Sequence, residues 1–202
     1  TSESLLPVIY FIFSRKGCDE AVRQCFEAGV RVTQPEDRVR IRQLAEARTA
    51  SLSDADLDVL GYDLWLEGLE HGIAAHHAGM IPSFREAVED CFVEGLVRVV
   101  FATETLALGI NMPARTVVIE RLSKFNGEGH EFLTPGQFTQ LTGRAGRRGI
   151  DDQGSAVVLW SPFCTFAQVA TLAASREFPL VSSFRPTYNM AANLIERYEE
   201  AP

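Results

Sequence analysis

Strand-forming and helix-forming patterns alternate along nearly the whole chain, and no other feature limits its fold so strongly. Pro7-Val8-Ile9-Tyr10-Phe11-Ile12-Phe13 is an almost unbroken apolar run of β-branched and aromatic residues, the composition of a strand buried on both faces. Ser14-Arg15-Lys16-Gly17 then turns into a helix with Cys18, Val22, Cys25 and Phe26 on its inner side. The unit repeats, with Ile73-Ala74-Ala75 as a short strand, His76-His77-Ala78-Gly79 as a loop, and a helix opened by Pro82 that shows Phe84, Val88, Cys91 and Phe92 on one side. Val97 to Ala102, Thr116 to Ile119 and Ser155 to Trp160 read as further strands, and Phe163 to Ala174 as a helix. This order predicts an α/β fold, a parallel sheet flanked by helices with right-handed crossovers. Ligands of such sheets meet the carboxyl ends of the strands. The loops at Ser14-Arg15, His77-Gly79, Thr103-Glu104 and Gly109-Asn111 are therefore expected on one edge.

Other stretches depart from the alternation. From Arg31 to His71 the pattern turns to charged helices, one after Pro35 and one capped by Ser53 with Asp54 and Asp56 in its first turn, and reads as a helical insert. Asn126-Gly127 between polar-apolar stretches reads as a hairpin turn, either a projecting ribbon with a task of its own or a plain connector. Ser183 to Thr187 reads as a linker to a last helix, Tyr188 to Glu200, with Tyr188, Ala191, Ala192, Ile195 and Tyr198 on an apolar side suited to a following domain. Residues 1–182 are thus expected to form one domain with its insert at 31–71, and residues 183–202 to lead into another. The chain opens on Thr1-Ser2-Glu3 rather than Met and carries no signal-peptide pattern, so it reads as a piece of a longer protein.

The chemistry concentrates in Gln140-Leu141-Thr142-Gly143-Arg144-Ala145-Gly146-Arg147-Arg148-Gly149. Three arginines and three glycines lie within this one short stretch, where their charges repel unless an anion or carboxylates lie between them. The alternatives are a phosphate site and a solvated basic helix end. Thr134-Pro135-Gly136-Gln137 predicts a capping box with Pro in the first turn, which puts Gln140, Gly143 and Arg144 on a short helix with Arg144 and Arg147 toward one side. The net charge of −8 argues against attraction of nucleic acid by the overall field, so any such binding is local. Only Lys16 and Lys124 are lysines among 19 basic residues. That bias fits bidentate phosphate contact and equally a genome rich in G and C.

Several classes are disfavoured. Cys18, Cys25, Cys91 and Cys164 form no CxxC pair and no zinc pattern with histidine, which suits free thiols in a reducing cytosol and predicts no metal site. The apolar run from Leu5 to Phe13 is broken by Pro7 and too short to span a bilayer, so a cytoplasmic protein without a membrane partner is expected. No Gly-Lys-Thr or Gly-Lys-Ser phosphate loop occurs, and Asp19-Glu20 is followed by Ala21-Val22, so there is no DExH box either. Ser14 and Thr103 by themselves also fit helix caps, and His76 and His77 ordinary turn residues.

Taken together, Phe11-Ile12-Phe13-Ser14-Arg15, His76-His77-Ala78-Gly79-Met80-Ile81-Pro82, Phe101 to Ala114 and Gln140 to Gly149 resemble motifs IV, IVa, V and VI of superfamily 2 helicases, in that family's order. The forms Asn111-Met112-Pro113-Ala114 and Gly143 to Gly149 resemble the Ski/Mtr branch of DExH RNA helicases, most closely its actinobacterial HelY-type members. The resemblance implies the second RecA-like domain of an ATP-dependent helicase, with residues 183–202 entering a winged-helix domain. It implies that Gln140, Arg144 and Arg147 reach the triphosphate across an interdomain cleft, Arg147 as arginine finger, and that Gly109 and Asn111 lie near the nucleotide. Many relatives carry Asp at the position of Asn111. Thr103 and Gly79 match positions that hold the nucleic-acid backbone, and Ser14 and Arg15 belong to motif IV. ATP with Mg²⁺ is the implied cofactor, the metal held mainly by a first RecA-like domain whose motifs are absent here, so the chain alone is expected not to hydrolyse ATP. RNA is the implied substrate. A DNA repair helicase of the same superfamily and a non-catalytic helicase-like scaffold are the alternatives.

Overall fold

The computed structural model describes residues 5–107, 112–125, 128–162, 164–175 and 188. The first apolar run forms β1 (Val8–Phe11) and the segment after it α1 (Arg15–Glu27), followed by α2 (Asp37–Thr49), α3 (Asp54–Val59) and α4 (Tyr62–Glu70). Then come β2 (Ile73–His76), α5 (Pro82–Val93), β3 (Val99–Ala102) with a 3-10 turn at Glu104–Ala107, and β4 (Thr116–Ile119). The chain continues through β5 (Ser123–Phe125), β6 (His130–Phe132), α6 (Pro135–Thr142), β7 (Ser155–Val158) and α7 (Phe166–Ala174).

The main sheet has the order β2-β3-β1-β4-β7, and every pair in it is parallel. Val8 lies beside both Val99 and Thr116, so β1 is central. Its Ile9 and Phe11 are fully buried in the core with Val100, Ala102, Val117 and Ile119. The two-sided burial expected of the Pro7 to Phe13 run is met only in part: Ile9 and Phe11 are buried, while Val8 and Tyr10 on the other face are half-buried.

Residues 31–71 are no appendage in this fold. Ile41 and Ala45 of α2 are fully buried and, with Leu66 and Leu69 of α4, belong to the same core as β1. The charged pattern hid this because α2 turns only a narrow strip inward and sets arginines against α5, where Arg40 meets Glu94 and Arg48 meets Glu86 and Asp90. Those solvent-exposed pairs contribute little, so the buried strip holds the helix in place. Trp65 of α4 stacks on Phe84 of α5 at 4.0 Å between ring centres. The Ser53 cap is present as a reciprocal capping box.

The antiparallel pair β5–β6 forms the expected ribbon, while its turn, Asn126-Gly127, lies outside the described residues. Lys124 Nζ donates to Glu104 Oε2 at 2.6 Å and ties the ribbon to the turn after β3. Of the stretch read as linker and last helix, only Tyr188 is described, and it is exposed. Among the described residues no helix is long and apolar enough to cross a membrane.

Candidate functional site

Three neighbouring strands end at the loops that the sequence places together. Beyond β1, Ser14 is extended and its Oγ accepts from Gly17 N–H at 3.1 Å, so it caps α1, with Arg15 as the first helical residue. Beyond β2, a Cβ built on Gly79 would stand 3.1 Å from Cδ of Arg15 and 3.2 Å from Nδ1 of His77. The Arg15 side chain thus lies close over Gly79, in space that a side chain at residue 79 would share. Beyond β3, the hydroxyls of Thr103 and Thr105 share a hydrogen bond of 2.9 Å, and Thr103 N–H donates to His76 O at 3.3 Å. Ser14, Arg15, Gly79 and Thr103 therefore line one edge. Gly109 and Asn111 lie outside the described residues.

His77 orders this edge, a role its sequence context did not reveal. Gly79 N–H donates to His77 Nδ1 at 3.2 Å, which puts the ring proton on Nε2, where it is donated to Asp19 Oδ1 at 3.0 Å. The ring thus links α1 to the Gly79 loop. His76 turns the other way, buried, with Nε2 against Glu89 Oε1 at 2.8 Å, and burial pushes its pKa down. The available signal was spacing, since a histidine two residues before a loop glycine can accept that glycine's N–H.

The arginine stretch sits at the other end of the sheet. Thr134 and Gln137 form the expected capping box, and Phe138 and Leu141 bury the inner face of α6. The helix stops at Thr142 with Gly143 as its cap, so Arg144 lies beyond it rather than on it. The chain there leaves the helix to pair with the segment before β4. Ala114 N–H donates to Arg144 O at 2.9 Å, and Gly146 N–H donates to Ala114 O at 2.8 Å. Gly146 has φ +89°, and a Cβ on Gly154 would overlap the backbone of Ala145 and Gly146. Glycine is required at both positions for this close crossing.

Arg144 and Arg147 do not share a helix face, yet the turn brings them together on the wall of an open cleft of about 810 Å³. Arg98 and Arg148 line it too, beside Pro7, Phe92 and Pro113. Pro7 and Arg98 immediately precede β1 and β3, which puts this cleft at the amino ends of the strands. Gln140 is exposed on α6 and is not among the cleft residues. Arg147 is clamped by a residue the sequence reading passed over. Its Nε and Nη2 donate to Asp151 Oδ2 and Oδ1 at 2.8 Å each, and its backbone N–H donates to Oδ2 at 3.0 Å. These bonds, the Arg147 side chain foremost, hold the Asp151 pKa down to about 2. Among the described residues no group of three or more His, Cys, Asp or Glu could hold a metal ion.

Residues 42–149 match the model of the helicase conserved C-terminal domain. This chain belongs to that family. Its relatives place it in the Ski/Mtr type of superfamily 2 DExH helicases. It is 62% identical over 196 residues to the probable helicase HelY of Mycobacterium tuberculosis H37Rv, covering 97% of this chain and 22% of that protein. It is 40% identical to the antiviral helicase SKI2 of Saccharomyces cerevisiae, covering 95% of this chain and 15% of that protein. It is 42% identical to the DExH-box ATP-dependent RNA helicase DExH15 of Arabidopsis thaliana, covering 96% and 16%. This helicase domain thus spans 15–22% of the length of these curated relatives.

Proposed function

We propose that this helicase domain is the second motor domain of an ATP-dependent RNA helicase and completes its ATP site by closing on a first RecA-like domain of the same polypeptide. The observation that carries the reading is the pairing of Arg144 and Arg147 on one cleft wall, at the opposite end of the sheet from the Ser14, Arg15, Gly79 and Thr103 edge. Phosphoryl transfer requires positive charge placed on the oxygens where negative charge develops. An arginine brought from a second domain makes hydrolysis depend on closure.

In this reading Arg147 meets the γ-phosphoryl oxygens in the transition state, Arg144 supports the same charge, and Gln140 reaches the triphosphate only once the partner domain approaches. Gly109 and Asn111 are assigned to the nucleotide by resemblance. Mg²⁺, which would supply positive charge against the phosphates, is assigned mainly to the first domain by the resemblance. On the other edge, the hydroxyls of Ser14, Thr103 and Thr105 and the Arg15 guanidinium contact phosphates, with the Gly79 loop held beside them, and such contacts hold a backbone without reading bases. RNA as substrate is supported by the DExH15 relative, which is named an ATP-dependent RNA helicase, and a cytoplasmic location by the expectation from the cysteines.

The test is steady-state ATPase of the full-length protein with RNA, with DNA and with neither. Stimulation by RNA above DNA is expected, and the isolated chain should show no turnover. Equal stimulation by both would remove the RNA assignment, and turnover by the isolated chain would remove the shared-site assignment.

A further inference from the structure

We propose that Asp151 is a positioning residue for Arg147, gripping the guanidinium from the side so that its outer edge is presented to the γ-phosphoryl group. The inference rests on the reading of Arg147 as the arginine finger. A guanidinium is planar and has two usable forks, one made by Nε and Nη2 and one by Nη1 and Nη2. Asp151 takes the first fork in full, with 2.8 Å bonds to Nε and Nη2. The second fork then points away from the carboxylate, and Arg147 lines the cleft with its side chain 27% exposed.

The grip is built into the turn. Asp151 N–H donates to Arg147 O at 2.9 Å while Arg147 N–H donates back to Asp151 Oδ2 at 3.0 Å, so backbone and side chain of the two residues close on each other. The Asp151 side chain is only 3% exposed, which separates this pair from solvated surface pairs that contribute little. Asp151 remains ionised across the working pH range, because its pKa is held near 2. An arginine without such a partner must lose its rotamer freedom when the phosphate arrives. One already held side-on has lost it beforehand, which is preorganisation in the sense that matters for a transition state. The positive charge of Arg115 also favours the ionised carboxylate.

A simpler role, capping the 147–151 turn through the backbone bond alone, makes a different prediction. It does not require the Arg147 side chain. The experiment uses the full-length protein with saturating RNA and compares binding of ADP–tetrafluoroaluminate, a transition-state mimic, with binding of a non-hydrolysable ATP analogue. Asp151→Asn keeps the volume and removes the charge. It is expected to weaken the mimic by roughly 10- to 100-fold, the scale of a small misplacement, and to leave the ATP analogue within about threefold. The kcat for ATP should fall by the same factor as mimic binding, with KM little changed. In an Arg147→Ala background Asp151→Asn should cost nothing further. A full additional loss there would make Asp151 a turn cap, and wild-type or tighter mimic binding by Asp151→Asn alone would also overturn the proposal. Should Asp151→Asn not fold, Arg147→Lys decides. It keeps the charge but not the fork, so mimic binding as weak as that of Arg147→Ala is expected, and near-normal binding would overturn the proposal. If Arg147→Ala itself binds the mimic normally, the finger reading fails and this inference with it. Failure of Asp151→Asn alone to matter would leave the finger intact.

Discussion

The two ends of the sheet carry different chemistry. At the carboxyl ends of β1, β2 and β3, the groups offered are a capped helix start, a glycine loop and hydroxyls, with Arg15 as the single arginine among them. At the amino ends, four arginines line one cleft and a carboxylate clamps one of them. The first end suits repeated weak contact along a backbone, and the second suits charge delivered at a single point. In the proposed reading, the difference teaches that a parallel sheet can keep a sliding contact and a chemical contact apart while rigid strands join them.

The strongest way to break this division is Arg147→Ala in the full-length enzyme. Turnover should fall by about 10³ to 10⁵, while RNA affinity without nucleotide stays at the wild-type value. Loss of RNA binding with normal turnover, read by ATPase and by titration, would reverse the assignment of the two ends.

Gly154→Ala tests whether the arginine cleft is a property of the turn's backbone. The new Cβ would overlap Ala145 and Gly146, so thermal unfolding should show a loss of about 1–3 kcal/mol. Turnover should fall along with it. RNA affinity at temperatures where the protein is folded should not change.

On the opposite edge, His77→Ala removes the acceptor of Gly79 N–H and the link to Asp19. RNA affinity should weaken by roughly 3- to 10-fold, the worth of about one hydrogen bond, with turnover at saturating RNA preserved. If turnover falls and affinity holds, the two ends are not separate in function.

The smallest effect is a pH dependence confined to the arginine turn. The folded-state pKa of Asp151 is depressed from 3.8 to about 2, so its contribution to stability is fully present above about 4 and is lost as pH falls through 2. Chemical unfolding of the chain between pH 5 and pH 2 should show this component in the wild type and not in Asp151→Asn, while His77→Ala should leave it in place.

Much of this was legible in the residues. The β-branched run at Val8 to Phe11, the Thr134 and Ser53 caps and the Pro82 start each act through local geometry, and each stands where the pattern puts it. The gathering of Ser14, Gly79 and Thr103 followed as well, because strand alternation obliges the loops after parallel strands to share an edge. Three features were not legible. The strip of Ile41 and Ala45 in a charged helix shows its purpose only against α5. The place of Arg144 off the helix depends on a hydrogen bond from Ala114, thirty residues earlier in the chain. The Arg147–Asp151 grip spans only four residues, yet it forms because Gly146 and Gly154 let two backbones cross. Periodicity and capping are short-range and are written in neighbouring residues. Which arginine is held, and by what, is decided by segments far apart in sequence whose approach only the packed chain determines.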